Sequence, residues 1–282
     1  MPLPVVFVQA EPVPFDRPLD VFAAELATLL AEHPGTRLVM YPELHLCRCE
    51  RPADAAEPLN GPRTRRLAEI AGDLGIWLVP GTVAERGPAG EVFNTALAFS
   101  PDGELVASYR KVFPWRPYEP YDPGDRFVVF DLPEGRVGFA ICYDAWFPEI
   151  TRHLAWMGAE LVLNPVQTTT RDRPQELVLA RANAIVNQVF VASVNVAGPF
   201  GMGHSIVVGP EGQVLREAPY ADPTVIALEL DLGEVARVRE HGTAGLNRMW
   251  DQFTEHDKPI NLPLYQGTID PGRWRPGGGD AR

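Results

Sequence analysis

The sequence predicts an α/β fold with mixed sheets, built as two halves of matching element order. Three observations carry that expectation. Short apolar, β-branched runs alternate with segments of helical spacing, the pattern of strands packed beneath helices. Two further pairs of runs are joined around Pro-Asp-Gly and Pro-Glu-Gly, so antiparallel hairpins accompany the parallel strands. The order then recurs: LVMYPE (38–43) is answered by LVLNPV (161–166), and FSPDGELV (99–106) by VGPEGQVL (208–215).

Each element follows from its local chemistry. Residues 5–10 form an apolar run read as a buried strand. Residues 19–32 have helical spacing, with Asp16 or Asp20 near the start, and Pro34-Gly35 ends them. Residues 37–41 are strand-like and stop at Pro42-Glu43. A helix over 62–74, a strand over 76–80 and a hairpin of 95–100 with 104–109 complete the first half. In the second, residues 137–142 read as a strand ending on Cys142. A helix over 147–157 and a strand over 161–163 follow, the strand ending at Asn164-Pro165. A helix over 176–187, a strand over 189–194 and a hairpin of 205–208 with 214–217 complete this half. Residues 223–230 allow one more strand, and 233–257 are polar with room for a short helix. We expect one domain over 1–260. The tail 261–282, with its Pro-Gly and triple-glycine runs, is expected to be flexible or wrapped on a partner.

Composition narrows the function. Twenty-five basic residues against 37 acidic ones leave a net charge of −12, which argues against nucleic acid or an anionic membrane surface as partner. No apolar run approaches the ~20 residues of a membrane span. The start of the chain lacks the basic and long apolar regions of a signal peptide, so a cytoplasmic protein is expected. Three cysteines do not suggest a disulfide framework.

One of those cysteines stands out, in GFAICYDAWFPEI (138–150). A cysteine closing an apolar run is commonly a core residue. It becomes a nucleophile if a base, an oxyanion donor and access to a pocket accompany it. A strand end is a good platform, because the next backbone N–H groups, Tyr143 above all, can face a developing oxyanion. Two other residues sit in comparable places: Glu43 just after a buried strand in MYPELHL, and Lys111 at a strand end in SYRKVFPW. Taken singly, each reads equally as a solvated loop residue.

Taken together, Glu43, Lys111 and Cys142, each just beyond a strand, resemble the catalytic triad of the nitrilase superfamily of carbon–nitrogen hydrolases. The motifs are Pro42-Glu43, Tyr109-Arg110-Lys111, ICYDxxFPE over 141–149 and GAELVLNP over 158–165, and the resemblance reaches to about Asp231. The segment FPWRPYE followed by YDPG looks like the aliphatic amidase and formamidase branch, with Glu119 matching a second glutamate. Gly203-His204-Ser205 also recurs in the superfamily. The resemblance implies a four-layer α-β-β-α sandwich of two pseudo-symmetric halves that assembles as a homodimer or higher homo-oligomer. It implies hydrolysis of a small amide through a cysteine thioester, with no cofactor and no metal. Glu43 would be the base, Lys111 and the Tyr143 N–H the oxyanion donors, and Glu119 would orient the substrate amino group or help set the charges of Lys111 and Glu43. Trp115, Tyr118, Trp146 and His204 are candidates to border the substrate, alongside Phe147.

Other readings stay open here. An N-carbamoyl-amide hydrolase, a nitrilase and a non-catalytic relative share the same scaffold, although Cys-Tyr-Asp favours an amide over a nitrile. A Cys–His hydrolase would need one of six histidines to reach Cys142, among them His45, His153 and His204. HLCRC (45–49) is ligand-rich but lacks the second separated pair of a zinc site. Arg171 and Arg173, expected on the loop after Asn164-Pro165, would face a substrate carboxylate, solvent or an interface.

Overall fold

The computed structural model describes residues 2–269 and Pro276. The first half runs β1 (Leu3–Gln9), α1 (Leu19–Glu32), β2 (Leu38–Met40), α2 (Pro52–Ala55), α3 (Pro62–Leu74), β3 (Trp77–Val79), β4 (Thr82–Arg86), β5 (Val92–Phe99) and β6 (Leu105–Arg110). The second runs β7 (Val129–Leu132), β8 (Gly135–Phe139), α4 (Pro148–Trp156), β9 (Leu161–Val166), α5 (Arg173–Asn187), β10 (Phe190–Asn195), β11 (Ile206–Val208) and β12 (Val214–Glu217). β13 (Thr224–Leu230) returns to the first sheet, and α6 (Gly233–His241) follows it.

The two sheets have corresponding orders. In the first, β13-β1-β2-β3-β5-β4, with β6 also on β5, the pairs β1·β2 and β2·β3 are parallel and the flanking pairs antiparallel. In the second, β12-β11-β10-β9-β8-β7, the pairs β8·β9 and β9·β10 are parallel and the flanks antiparallel. The repeated motifs fall on equivalent places: LVMYPE covers β2 and its exit, and LVLNPV is β9.

Period-two alternation sorts the side chains into layers. Val5, Phe7, Leu38, Met40 and Tyr109 of the first sheet meet Phe139, Leu161, Leu163 and Phe190 of the second in one apolar core. The alternate residues Val6, Val39 and Leu78 face away, onto Phe22 and Leu26 of α1 and Leu67 and Ile70 of α3. Val162 and Val191 face Ile150 and Leu154 of α4 and Ala184 of α5. The layers are therefore α-β-β-α, as expected.

Four local expectations are corrected. β4 and β7 are strands that the sequence reading passed over, because both are short and flanked by polar turns. The strand leading to Cys142 ends at Phe139, and Cys142 opens a 3-10 turn, Cys142–Trp146. β9 continues through Asn164-Pro165 to Val166, paired on β10. Arg173 lies not on a loop but at the start of α5, fully buried. A short hairpin, Ile260–Leu262 with Gly267–Ile269, occupies the beginning of the expected tail; 270–275 and 277–282 lie outside the described residues.

Candidate active site

The site is assembled at the seam between the sheets, each strand exit contributing one group. After β2 the chain turns at Pro42-Glu43, and Leu44 N donates to Thr82 Oγ1 at 3.0 Å, which pins the turn. Gly81 makes room for it: at φ 92° a Cβ there would lie 1.9 Å from the Pro42 carbonyl oxygen. Lys111 leaves β6 with its N–H on Asn94 O at 2.8 Å, and Gly124 returns to donate to Lys111 O at 2.8 Å.

Glu43 and Lys111 are both buried, with side chains 1% and 0% exposed. Lys111 Nζ donates to Glu43 Oε1 at 3.0 Å and to Glu119 Oε1 at 2.7 Å. Asn94 Nδ2 also donates to Glu43 Oε1, at 2.7 Å. Glu119 uses its other oxygen to accept from Trp115 N at 2.8 Å, closing the 115–119 loop beneath the lysine. Glu43 Oε2, by contrast, is buried with no partner at hydrogen-bond distance.

Burial pushes the Glu43 carboxyl above the ordinary glutamate value, with Glu119 adding to it; Lys111 and the neighbouring Cys142 thiol pull the other way. Burial alone would lower Lys111, but Glu43, Cys142 and Glu119 together raise it, so the ammonium is permanent. Cys142 is pushed well above an ordinary thiol, first by burial and then by Glu43, against Lys111. The thiol thus sits against a carboxyl held by an ammonium, with burial opposing the charged form of both Cys142 and Glu43.

The turn that carries the thiol explains Cys-Tyr-Asp. Cys142 adopts φ 46°, a left-handed conformation that is uncommon for a non-glycine residue and clusters at functional sites. Asp144 stabilises it. Its carboxylate, fully buried, accepts from Ile141 N (2.9 Å), Phe113 N (2.8 Å) and Tyr109 Oη (2.8 Å). One side chain thereby ties the nucleophile turn of the second half to the lysine-bearing segment of the first. As an early residue of a 3-10 turn, Tyr143 has an N–H without an intraturn acceptor, as at any helix start.

Of the residues expected to border the substrate, Trp115 packs against Tyr118 at 4.4 Å between centroids, and Tyr118 is 68% exposed. Tyr143 lies 6.1 Å from Trp146 and edge-on to Phe147, which stacks on Phe113 at 3.7 Å. The Trp146 indole N–H is buried without a partner. His204 enters through its backbone: it sits at φ 54° and its carbonyl accepts from Arg173. No histidine is among the groups that perturb Cys142. His45 stacks on Tyr41 at 4.6 Å, burial lowering its pKa to about 3, and His153 stacks on Phe127. Cys47 packs with Ala55, Ala84 and Tyr121 and interacts with Cys49, and among the described residues HLCRC brings together no group of three side chains able to hold a metal ion.

Sequence reasoning missed three groups, Asn94, Thr168 and Glu176. Asn94, inside an apolar strand, gave a signal as a polar residue at a core position. Thr168 and Glu176 gave none; Arg173, which the sequence did single out, joins them only through the packing of α5. Thr168 Oγ1 stands 3.9 Å from Cys142 Sγ and donates to both Glu176 oxygens at 2.7–2.8 Å. Arg173 Nη1 meets Glu176 at 2.9 Å.

A four-layer sandwich with a buried glutamate and lysine and a partly buried cysteine at its seam is the arrangement of the carbon–nitrogen hydrolases, and the family model for carbon-nitrogen hydrolase matches residues 5–240. The chain belongs to this family. Among its relatives, the omega-amidase NIT2 of Xenopus tropicalis is 34% identical over 220 residues, covering 72% of this chain and 79% of that protein. A formamidase of Pseudomonas syringae pv. syringae is 32% identical over 73% of this chain and 64% of its own length. The solved structure of Saccharomyces cerevisiae Nit3, a member of branch 10 of the nitrilase superfamily, superposes with a TM-score of 0.76 at 29% identity, over 85% of this chain and 93% of that one. A mutant amidase from Nesterenkonia sp. AN1, with the acetamide moiety of fluoroacetamide covalently added at its active site cysteine, superposes at 0.71 with 28% identity, over 83% and 92%.

Proposed function

We infer that this chain is an amidase that hydrolyses the C–N bond of a small amide, with Cys142 as nucleophile, Glu43 as general base and Lys111 as oxyanion donor. The observation that carries this reading is the unpartnered Glu43 Oε2: a buried carboxylate oxygen left free beside a thiol, while its twin is fixed by Lys111 and Asn94. A buried unsatisfied carboxylate oxygen is costly. A proton to accept gives it a use.

Sγ attacks the amide carbonyl carbon as its proton passes to Glu43 Oε2. The carbonyl oxygen becomes an oxyanion, met by Lys111 and the Tyr143 N–H. An ammonium has three protons; two of Lys111's are placed on Glu43 and Glu119, and the third is available. The C–N bond breaks as Glu43 returns the proton to the departing amine, leaving ammonia and a thioester. Water, deprotonated by Glu43, then attacks the thioester carbonyl; the C–S bond breaks, the acid leaves and the thiol is restored. Glu119 has both oxygens engaged, which favours its holding Lys111 over its orienting the substrate amino group. Trp115, Tyr118, Trp146 and His204 remain assigned to the pocket's border.

The same reading takes 1–260 as a single catalytic domain, a cytoplasmic setting and a homo-oligomeric assembly. Free cysteines at 47, 49 and 142 support a reducing compartment. Leu246 (66% exposed), Leu264 (80%) and Tyr265 (54%) are large side chains that a second copy would cover. Sedimentation velocity tests the assembly: a monomer at micromolar concentration overturns it.

Ammonia release from short amides, carbamoyl compounds and nitriles tests the chemistry. Release from amides that disappears in Cys142→Ala and falls by about 10²–10⁴ in Glu43→Gln is expected. Release that survives Cys142→Ala removes the nucleophile assignment.

A further inference from the structure

Near the thiol, reached through Thr168, lies a second charged pair that the proposed reaction does not use. Arg173 and Glu176, both in the first turn of α5, are buried, with side chains 2% and 8% exposed. All five guanidinium N–H groups of Arg173 are placed: Nε on Gly203 O, Nη1 on Glu176 Oε2 and Ser193 Oγ, Nη2 on Ser193 O and His204 O. Arg173 is thus a fixed anchor for Glu176, with no donor left for a substrate carboxylate.

Glu176 in turn fixes Thr168. The Thr168 hydroxyl has one proton, and both Glu176 oxygens lie within 2.8 Å to take it. Its backbone is locked as well, Thr168 N donating to Asn195 Oδ1 at 2.9 Å. With its proton committed, the hydroxyl presents only lone pairs to Cys142 Sγ, 3.9 Å away. It can accept from a thiol and cannot donate to a thiolate. Glu176 and Cys142 also line one small cavity, together with Asn164 and Asn183.

We propose that Glu176, acting through Thr168, is a positioning residue that keeps Cys142 as the protonated thiol in the free enzyme. The nucleophile is then ionised only as Glu43 takes its proton during attack. Resting Cys142 is shielded from alkylating and oxidising reagents, which react with thiolates. The charged groups around the thiol are Glu43 from the exit of β2, Lys111 and Glu119 from the exit of β6, Asp144 in its own turn, and Arg173 with Glu176 from α5; Glu217 of β12 acts on Arg173. Lys111 favours the thiolate, whereas Glu43 and Glu176 oppose it. Neutralising Glu176 and letting Thr168 donate therefore act in the same direction.

This inference rests on Cys142 being the nucleophile, and its test reads the thiol rather than the turnover. The rate of Cys142 carbamidomethylation by iodoacetamide, followed by mass spectrometry from pH 6 to 10, is compared in the native protein and Glu176→Gln. The midpoint should fall by a unit or more in the variant, giving roughly tenfold faster labelling near pH 7. The alkaline limb of kcat/KM on a short amide should move down with it. Arg173→Met with Glu176→Leu removes both buried charges, an exchange that cores often tolerate. It frees the Thr168 proton without stranding Arg173, and reads the same shift should the single variant not fold. An unchanged or higher midpoint in a variant with native circular dichroism overturns the proposal. So does a shift in Glu176→Gln that the double variant lacks, since that would belong to a stranded Arg173. Loss of amidase activity with the native labelling profile would count against it in the same way, while labelling shifted as expected in a protein inert to every amide would sink the functional reading and leave this one standing.

Discussion

Lys111 shows how charge at single residues sets the site's working range. In the mechanism we propose, turnover needs Glu43 as carboxylate and Cys142 as thiol. Glu43 is raised above an unperturbed glutamate of about 4.3, so as pH falls it takes up a proton earlier than an exposed glutamate would, and activity is lost from a higher pH. Cys142 is raised above about 8.5, so the alkaline loss comes later than for a free thiol. The kcat/KM profile should therefore be a bell with both limbs displaced upward. The two groups interact, so the limbs belong to the pair. Replacing Lys111 by Met removes the cation that lowers Glu43 and should move the acid limb further up. It should also cost on the order of 10²–10³ in kcat, the usual loss for an oxyanion donor. Pre-steady-state and pH–rate measurements check both.

At the scale of elements, the geometry depends on turns that a few residues permit. Gly81 lies against the Pro42 carbonyl, and its φ of 92° is one that L side chains rarely adopt. Gly81→Ala should push the Pro42-Glu43 turn away from Lys111, lowering kcat by at least tenfold. Strain of about 1–3 kcal/mol should appear in urea denaturation. Asp144 has the corresponding place in the second half. Asp144→Asn turns an amide N–H toward a backbone N–H, leaving one of three buried donors without an acceptor. The expected cost is about 1–3 kcal/mol, with loss of activity because Phe113 and the nucleophile turn are no longer joined. Retained activity with full stability would show that the turn holds without this bridge.

Across the whole molecule, the inter-sheet core and the site are joined in space, Cys142 packing against the core cluster. Leu163 is fully buried in β9, among Leu38, Phe139 and Leu161. Leu163→Ala should cost about 2–5 kcal/mol of stability by equilibrium unfolding. Cys142 packs against the same cluster, so assays of activity per folded molecule read how far the cavity reaches the site. The site draws Glu43, Lys111 and Glu119 from the first half and Cys142 from the second. Hydrogen bonds across the seam hold the halves together there: Tyr109 to Asp144, and Ser205 to Gln9 Oε1 at 2.8–2.9 Å.

Most of the order of elements, the repeated halves and the placement of Glu43 and Lys111 just beyond strands were legible in the residues themselves, whereas β4, β7 and the 3-10 turn at Cys142 were not. Apolar periodicity and turn chemistry act over a few neighbours, and they report where a strand ends. The layers follow too, because each strand's alternate residues must find apolar partners on both faces. What lies beyond local sequence is the conformation at Cys142, which reads as strand but is left-handed because Asp144 and two elements of the other half hold the turn. Arg173 reads as a loop cation facing substrate, solvent or an interface, yet the packing of α5 against β10 buries it and matches its five donors to five acceptors. Thr168 and Glu176 carry no signal at all, since their relation to the thiol exists only once β9 and α5 meet. Sequence alone pointed to Glu43, Lys111, Glu119 and Cys142; the tertiary structure decided what surrounds them, Asn94, Thr168 and Glu176 included, because burial and the proximity of residues distant in the chain set the field at each one.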